Sequence, residues 1–129
     1  MAAAKELKTK PTQHSVKQLL ELGVQPDVLV LRTEHPLSQG IKEKVALFCN
    51  VAKSAVIECR DVPSIYEVPL RMQEEGLDEI VLSKMGLENV QPANLTQWTG
   101  FLTKLQTATE IVRIGLVGKY VELPDAYKS

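Results

Sequence analysis

The run Val28-Leu29-Val30-Leu31 sets four apolar residues in succession between the turn at Pro26-Asp27 and the loop at His35-Pro36. A strand with one face in water alternates apolar and polar side chains. An unbroken short run fits a strand covered on both faces of a parallel sheet. A helical face follows, with Ile41, Val45, Phe48 and Cys49 at helical spacing. Ala55-Val56-Ile57 then offers a second strand, ending at Glu58-Cys59-Arg60-Asp61.

The flanks extend this order. Val16, Leu19 and Leu20 fall at i, i+3 and i+4, with Gly23 placed to end the helix, so a helix is predicted from about Thr12 to Leu22. From Ser64 to Leu87 the pattern is helical but broken by Pro69 and Gly76. It predicts a short turn, a helix opened by Pro69 at its first position, and another helix from about Leu77 to Met85. Glu88 to Ala93 carries no period and reads as a linker. Asn94 and Gln97 form a variant capping box before a stripe of Leu95, Trp98, Phe101, Leu102 and Leu105. Its place on that stripe makes Trp98 a core residue rather than a ligand-stacking one. Ile111 to Gly118 is a predicted third strand.

The order of elements specifies an α/β protein. Three strands make an incomplete sheet, with open edges and uncovered faces. The expectation is therefore a segment of a larger protein.

A length of 129 residues sets one domain as the prior. With 44% hydrophobic and 24% charged residues the chain can build a core and is not disordered by composition. Fifteen basic residues against sixteen acidic ones give a net charge of −1, which argues against a general nucleic-acid binder. Lys5, Lys8, Lys10 and Lys17 are nevertheless grouped. Cys49 and Cys59 have no metal-ligand or C-x-x-C spacing, and both read as small buried thiols in or beside apolar runs. No apolar stretch approaches a membrane span, and Met1-Ala2-Ala3-Ala4-Lys5 lacks the apolar centre of a signal peptide. The expected address is the cytoplasm, with no membrane partner.

The densest chemistry lies in Lys8-Thr9-Lys10-Pro11-Thr12-Gln13-His14-Ser15. Ammonium groups can neutralise phosphate, and hydroxyls, amides and free N–H groups at a helix start can complete the shell. Pro11 is expected to hold the residue before it extended. Two readings stand side by side: a polyphosphate or anion cradle, and a solvated loop with a threonine cap. There is no G-x-x-x-x-G-K-[S/T] phosphate loop; Gly115-Leu116-Val117-Gly118-Lys119 has the wrong spacing. Neither cysteine nor histidine forms a nucleophile–base spacing. Glu74 and Glu75 read as a solvated helix end. Arg32 and Arg60, on residue type alone, read as surface charge.

Five stretches in order resemble the CTP synthase family. They are Glu6-Leu7-Lys8-Thr9-Lys10-Pro11-Thr12-Gln13-His14-Ser15-Val16, Pro26 to Arg32, Lys44 to Val51, Asp61 to Pro69, and Gly118 to Tyr127. The resemblance implies a partial P-loop/Rossmann-like three-layer fold from the synthetase domain, together with the first strand of a class I glutaminase domain. It implies three parts: residues 1–87 from the synthetase domain, 88–109 an interdomain linker with a helix, and 110–129 the start of the glutamine amidotransferase domain. The activity it implies is ATP-dependent amination of UTP to CTP, with glutamine or ammonia as nitrogen donor.

The resemblance also assigns roles residue by residue. Lys8, Thr9, Lys10, Pro11, Thr12, Gln13 and Lys44 would contact UTP or CTP, in a pocket formed between subunits of a homotetramer. His14 would belong to the same helix start, and His35 to a solvated loop. Arg32 would pack on the adenine of ATP, and Arg60, Asp61 and Val62 would meet its edge. The family's phosphate loop and acidic Mg2+ ligands would lie before Met1, and its glutaminase cysteine, histidine and glutamate after Ser129. This chain would hold no catalytic residue and no metal ligand. The competing reading is a non-catalytic nucleotide-binding or oligomer-capping module.

Overall fold

A computed structural model describes residues 8–87, 89–115, 117–120 and 122. The expectations for Lys5, Glu6, Leu7, Leu116 and residues 123–127 lie outside the described residues. The elements are α1 (Lys10–Glu21), β1 (Leu29–Thr33), α2 (Gln39–Cys49), β2 (Val56–Arg60), α3 (Val68–Glu74), α4 (Leu77–Lys84) and α5 (Thr96–Thr107). Short 3-10 turns precede β2 at Lys53–Ala55 and α3 at Ile65–Glu67.

Helix α1 begins two residues before the predicted start. Pro11 sits in its first turn, where a missing N–H has no acceptor to leave empty. Thr9 is already in the right-handed helical region and Lys10 is helical, so the helix start overrides the pre-proline preference for extended backbone. The far end is as the sequence predicts. Gly23, at φ +79°, donates to Leu20 O at 2.9 Å, and Val24 donates to Leu19 O at 3.2 Å. This is a Schellman motif, and it satisfies two carbonyls that the helix leaves open.

Helix α2 starts at Ser38, whose Oγ accepts from the Ile41 N–H at 3.4 Å, and ends at Asn50 in the left-handed region. Its buried stripe is Val45, Ala46 and Cys49, with Ile41 partly covered. Phe48, expected on that stripe, is 60% exposed, because the packed face runs through Ala46 instead.

Strands β1 and β2 are parallel, in register from Leu29 opposite Val56 to Thr33 opposite Arg60. The core forms where Val16 of α1, the α2 stripe and Val56 meet, with Leu29, Leu31, Ile41 and Val51 packed around them. Strand β2 fits a doubly covered strand at Val56, Ile57 and Glu58. Strand β1 does not. Leu29 and Leu31 are partly buried, whereas Val30 is 49% exposed. The expected burial of β1 on both faces is thus corrected: α1 and α2 cover one face, and Val30 on the other meets solvent.

The helices after β2 match the break points at Pro69 and Gly76. Pro69 lies in the first turn of α3, and Gly76 joins α3 to α4 at φ +72°. Residues 89–95 carry no helix or strand. At α5, Asn94 Oδ1 accepts from the Thr96 N–H at 3.0 Å, a turn two residues long rather than the predicted capping box. Leu102 is the buried residue of that helix. Trp98 is half-buried in an aromatic cluster with Tyr66 and Phe101.

The predicted third strand is not formed at residues 111–115 or at Val117. Ile111, Val112 and Ile114 are 80–87% exposed. A strand needs a neighbour for its backbone groups, and among the described residues the sheet has two strands. The fold is α/β with a small parallel sheet. No helix among the described residues is long and apolar enough to cross a membrane.

Candidate functional site

The carboxyl ends of β1 and β2 are Arg32-Thr33 and Cys59-Arg60. Ligands in open α/β sheets bind outside such ends. A hollow of about 590 Å³ lies there, lined by Arg32, Cys59, Arg60, Asp61, Val62, Pro63, Ile65 and Val68. All four residues assigned by resemblance to adenine contact line it: Arg32, Arg60, Asp61 and Val62.

The polar groups are held in place. Asp61 donates its backbone N–H to Thr33 O at 2.9 Å, extending the strand pairing by one residue. Arg32 Nε donates to Asp61 Oδ1 at 2.8 Å. Arg60 Nε pairs with Glu58 Oε1 at 2.8 Å, and Glu58 is 7% exposed. The second oxygen of Glu58 accepts from the Leu37 N–H at 2.8 Å. The buried carboxylate is therefore satisfied on both oxygens, and it fixes the guanidinium of Arg60 at the hollow.

Glu75 extends the network. Its Oε2 accepts from Lys42 Nζ at 3.0 Å and from the backbone N–H of Glu58 at 3.1 Å. Burial pushes its carboxyl up, but the Lys42 and Glu58 hydrogen bonds and the charges of Lys42 and Arg60 outweigh that and hold it below its ordinary value. The reading of Glu74 and Glu75 as a solvated helix end therefore holds for Glu74, which pairs with Arg71, and fails for Glu75. Charge runs look alike in sequence, and only the fold sets Lys42 opposite one carboxylate.

A second cavity of about 270 Å³ borders the first. Its lining includes Lys8, Thr9 and Thr12 from the start of α1, Val30 to Thr33 of β1, and Leu37, Ile41 and Val45. Arg32 lines both spaces. Thr9 is 8% exposed, and its Oγ1 accepts from Gln13 Nε2 at 3.1 Å. Its own O–H remains a donor for a ligand. Of the strip from Lys8 to Gln13, three residues line the cavity. Lys10 and Pro11 are exposed, and Gln13 acts through Thr9. The threonine-cap alternative takes a different form: Thr9 stands at the cap position, but its hydroxyl makes no bond to the helix backbone.

Lys44 is exposed on α2 and is not among the lining residues of this cavity. His14 and His35 are exposed. The His35 N–H donates to Thr33 Oγ1 at 3.2 Å, which steadies the loop after β1. Cys49 is fully buried, and burial pushes its thiol up. Cys59, expected to be buried like Cys49, is only half-buried, because it lines the larger hollow at the end of β2.

Ile65, Val68 and Pro63 supply an apolar wall of the larger hollow that residue-level reading did not assign. Their signal was present in the stretch Asp61 to Pro69, where apolar residues follow the charged pair directly. Together the two spaces offer guanidinium planes and an apolar wall for a planar base, and an ammonium with hydroxyls for phosphate or ribose.

No group of three His, Cys, Asp or Glu side chains among the described residues could hold a metal ion. Asp61, Glu58 and Glu75 are each engaged by a cation. The Mg2+ implied by the resemblance finds no such donor set among the described residues.

The family described as CTP synthase N-terminus matches residues 1–87. Over 129 residues the chain is 62% identical to a CTP synthase of Bacteroides fragilis, covering 100% of this chain and 24% of that protein. A CTP synthase of Porphyromonas gingivalis is 61% identical over 129 residues, with the same coverage of each. One from Bacillus pumilus is 55% identical over 127 residues, covering 98% of this chain and 24% of that protein. The chain thus spans 24% of the length of these relatives.

Proposed function

This chain belongs to the CTP synthase family, and on that premise we propose that it forms the nucleotide-seating part of such an enzyme. The activity served is ATP-dependent amination of UTP to CTP, with glutamine or ammonia as the nitrogen source. The larger hollow takes the adenine of ATP, with Arg32 and Arg60 as guanidinium surfaces and Asp61-Val62 at the base edge. The smaller cavity takes UTP or CTP through Lys8, Thr9 and Thr12, with Lys10, Pro11 and Gln13 shaping the helix start. Lys44 serves the corresponding cavity of a second copy in a homotetramer.

The observation that supports this most is the meeting of Arg32, Arg60, Asp61 and Val62 around one hollow at the strand ends. Arg32 comes from one strand and the other three from the end of the next. Arg32 also borders the cavity that holds Lys8, Thr9 and Thr12. Shared walls suit two substrates that exchange a phosphoryl group. That transfer leaves phosphate on the 4-oxygen of UTP, and ammonia then displaces it. Such catalysis depends on positioning and charge stabilisation.

Residues 1–87 are assigned to the synthetase domain, 88–109 to the linker, and 110–129 to the start of the glutaminase domain. The proposed setting is the cytoplasm. The chain's share of the work is binding. It is expected to take up ATP and CTP in calorimetric titration, and to make no CTP from UTP, ATP and ammonia. CTP formation by the purified chain would overturn the non-catalytic assignment. Failure to bind either nucleotide would overturn the seating role.

A second reading has its own support. Leu22, Val24, Leu47 and Phe48 are 50–80% exposed near the ends of α1 and α2. Such surface suits an oligomer-capping module that joins a full-length CTP synthase. Co-elution on mixing would favour it, and independent elution would dispose of it.

A further inference from the structure

We propose that Trp98 of α5 is a positioning residue for the larger hollow, acting through the 3-10 turn Ile65–Glu67; this rests on the adenine-nucleotide reading given above. Trp98 lies 32 positions along the chain from Tyr66, and its Nε1 donates to Tyr66 O at 2.7 Å. The bond is short for an indole N–H, and it ends on the backbone of the turn rather than on a mobile side chain. The indole and the Tyr66 ring are edge-on at 6.2 Å between centroids. Phe101 completes the cluster at 5.3 Å from Tyr66 and 5.7 Å from Trp98.

The turn has two sides. Ile65 lines the hollow, while Tyr66, the next residue, is gripped by α5. Inside the turn, Ser64 Oγ accepts from the Tyr66 N–H at 3.3 Å, and Glu67 donates to Ser64 O at 2.9 Å. A three-residue 3-10 turn is a weak element on its own. The bond from Trp98 and the aromatic contacts are the support it receives from α5. Removing them lets Ile65 and Val68 drift, which loosens the apolar wall against which a base would lie. The smaller cavity is lined by the α1 start, β1 and α2, and has no wall from this turn.

This separation makes the test specific. ATP and CTP are titrated into the purified chain and into its Trp98→Phe, Trp98→Ala and Arg32→Ala variants, with circular dichroism as a check on folding. Trp98→Phe keeps a ring and loses the N–H, so ATP affinity should fall about threefold. Trp98→Ala loses both, so it should fall about tenfold. CTP affinity should stay within about twofold in both Trp98 variants, which a general loss of structure would not allow. ATP affinity unchanged by Trp98→Ala, while Arg32→Ala weakens it, overturns the positioning role and spares the adenine reading. Parallel loss of ATP and CTP affinity in the Trp98 variants also overturns it. ATP binding that is absent, or indifferent to Arg32→Ala, removes the adenine reading and the inference with it.

Discussion

Arg32 and Asp61 tie the carboxyl ends of the two strands together on the wall of the larger hollow. Arg32 Nε donates to Asp61 Oδ1 at 2.8 Å, and the Asp61 N–H donates to Thr33 O at 2.9 Å. One residue past β2 is thereby bound to β1 through both its backbone and its side chain. The side chains of the pair are 83% and 45% exposed, so solvent screens the attraction between them. Its value lies in orientation: the carboxylate sets where the guanidinium stands.

Arg32→Ala should therefore separate binding from stability. Loss of an exposed pair costs under about 1 kcal/mol of folding free energy. Loss of a cationic plane beside a base should weaken ATP about tenfold. Thermal melts and ATP titrations of the same preparation check both. A large fall in melting temperature with unchanged ATP affinity would refute the assignment.

Lys8 and Lys44 carry the same charge but different expectations. Lys8 lines the smaller cavity and Lys44 stands exposed on α2 outside it. Lys8→Ala should weaken CTP about tenfold at any protein concentration, because the charge-assisted bond it removes is one that the chain's own cavity would make to phosphate. Lys44→Ala should leave CTP binding of the dilute chain unchanged and weaken it only where association brings a second copy to the cavity. Titrations at two protein concentrations, with sedimentation to report the association state, distinguish the cases. A loss of equal size in the dilute Lys44→Ala chain would place Lys44 in its own cavity and refute the shared-site arrangement.

Much of the fold is legible in sequence wherever local chemistry decides. Gly23 ends α1 in the left-handed region because only a residue without a side chain adopts it freely. Pro11 and Pro69 mark first turns for the same local kind of reason. The misses depend on distant partners. Val30 belongs to an apolar run yet stays half-exposed, because the described residues leave that face of β1 partly open. Ile111 to Ile114 have strand composition, but a strand also needs a neighbour. At the site, Arg32, Arg60, Asp61 and Val62 share one hollow. Glu75 and the Trp98–Tyr66 contact were not legible, since each joins residues separated by 17 or more positions.

Two glycines give a contrast in sign. Gly76 stands at φ +72° between α3 and α4, and Gly100 lies inside α5; a Cβ at either meets nothing within 4 Å. Any effect of alanine is therefore conformational rather than steric crowding. Gly76→Ala should destabilise by about 1–2 kcal/mol through left-handed strain. Gly100→Ala should stabilise by about 0.5–1 kcal/mol through helix propensity. Urea melts of both variants decide it, and two shifts of the same sign would contradict the backbone conformations described.

Glu75 gives the chain an acid-sensitive bond. Burial raises its carboxyl pKa, but Lys42, the Glu58 N–H and Arg60 together lower it by more, so the folded value lies below the unfolded one. A depressed carboxyl stabilises the fold at pH above the ordinary glutamate value of about 4.3. That contribution is lost as pH falls through the folded value. Glu75→Gln has no proton to gain. Its melting temperature should fall less steeply than that of the original chain between about pH 5 and pH 3. At neutral pH the variant should be less stable by about 1–3 kcal/mol. The reason is Lys42, whose side chain is 17% exposed and would then face a neutral amide. If the acid limbs of the two melting curves superimpose, the Lys42–Glu75 pair contributes nothing to the pH dependence of folding.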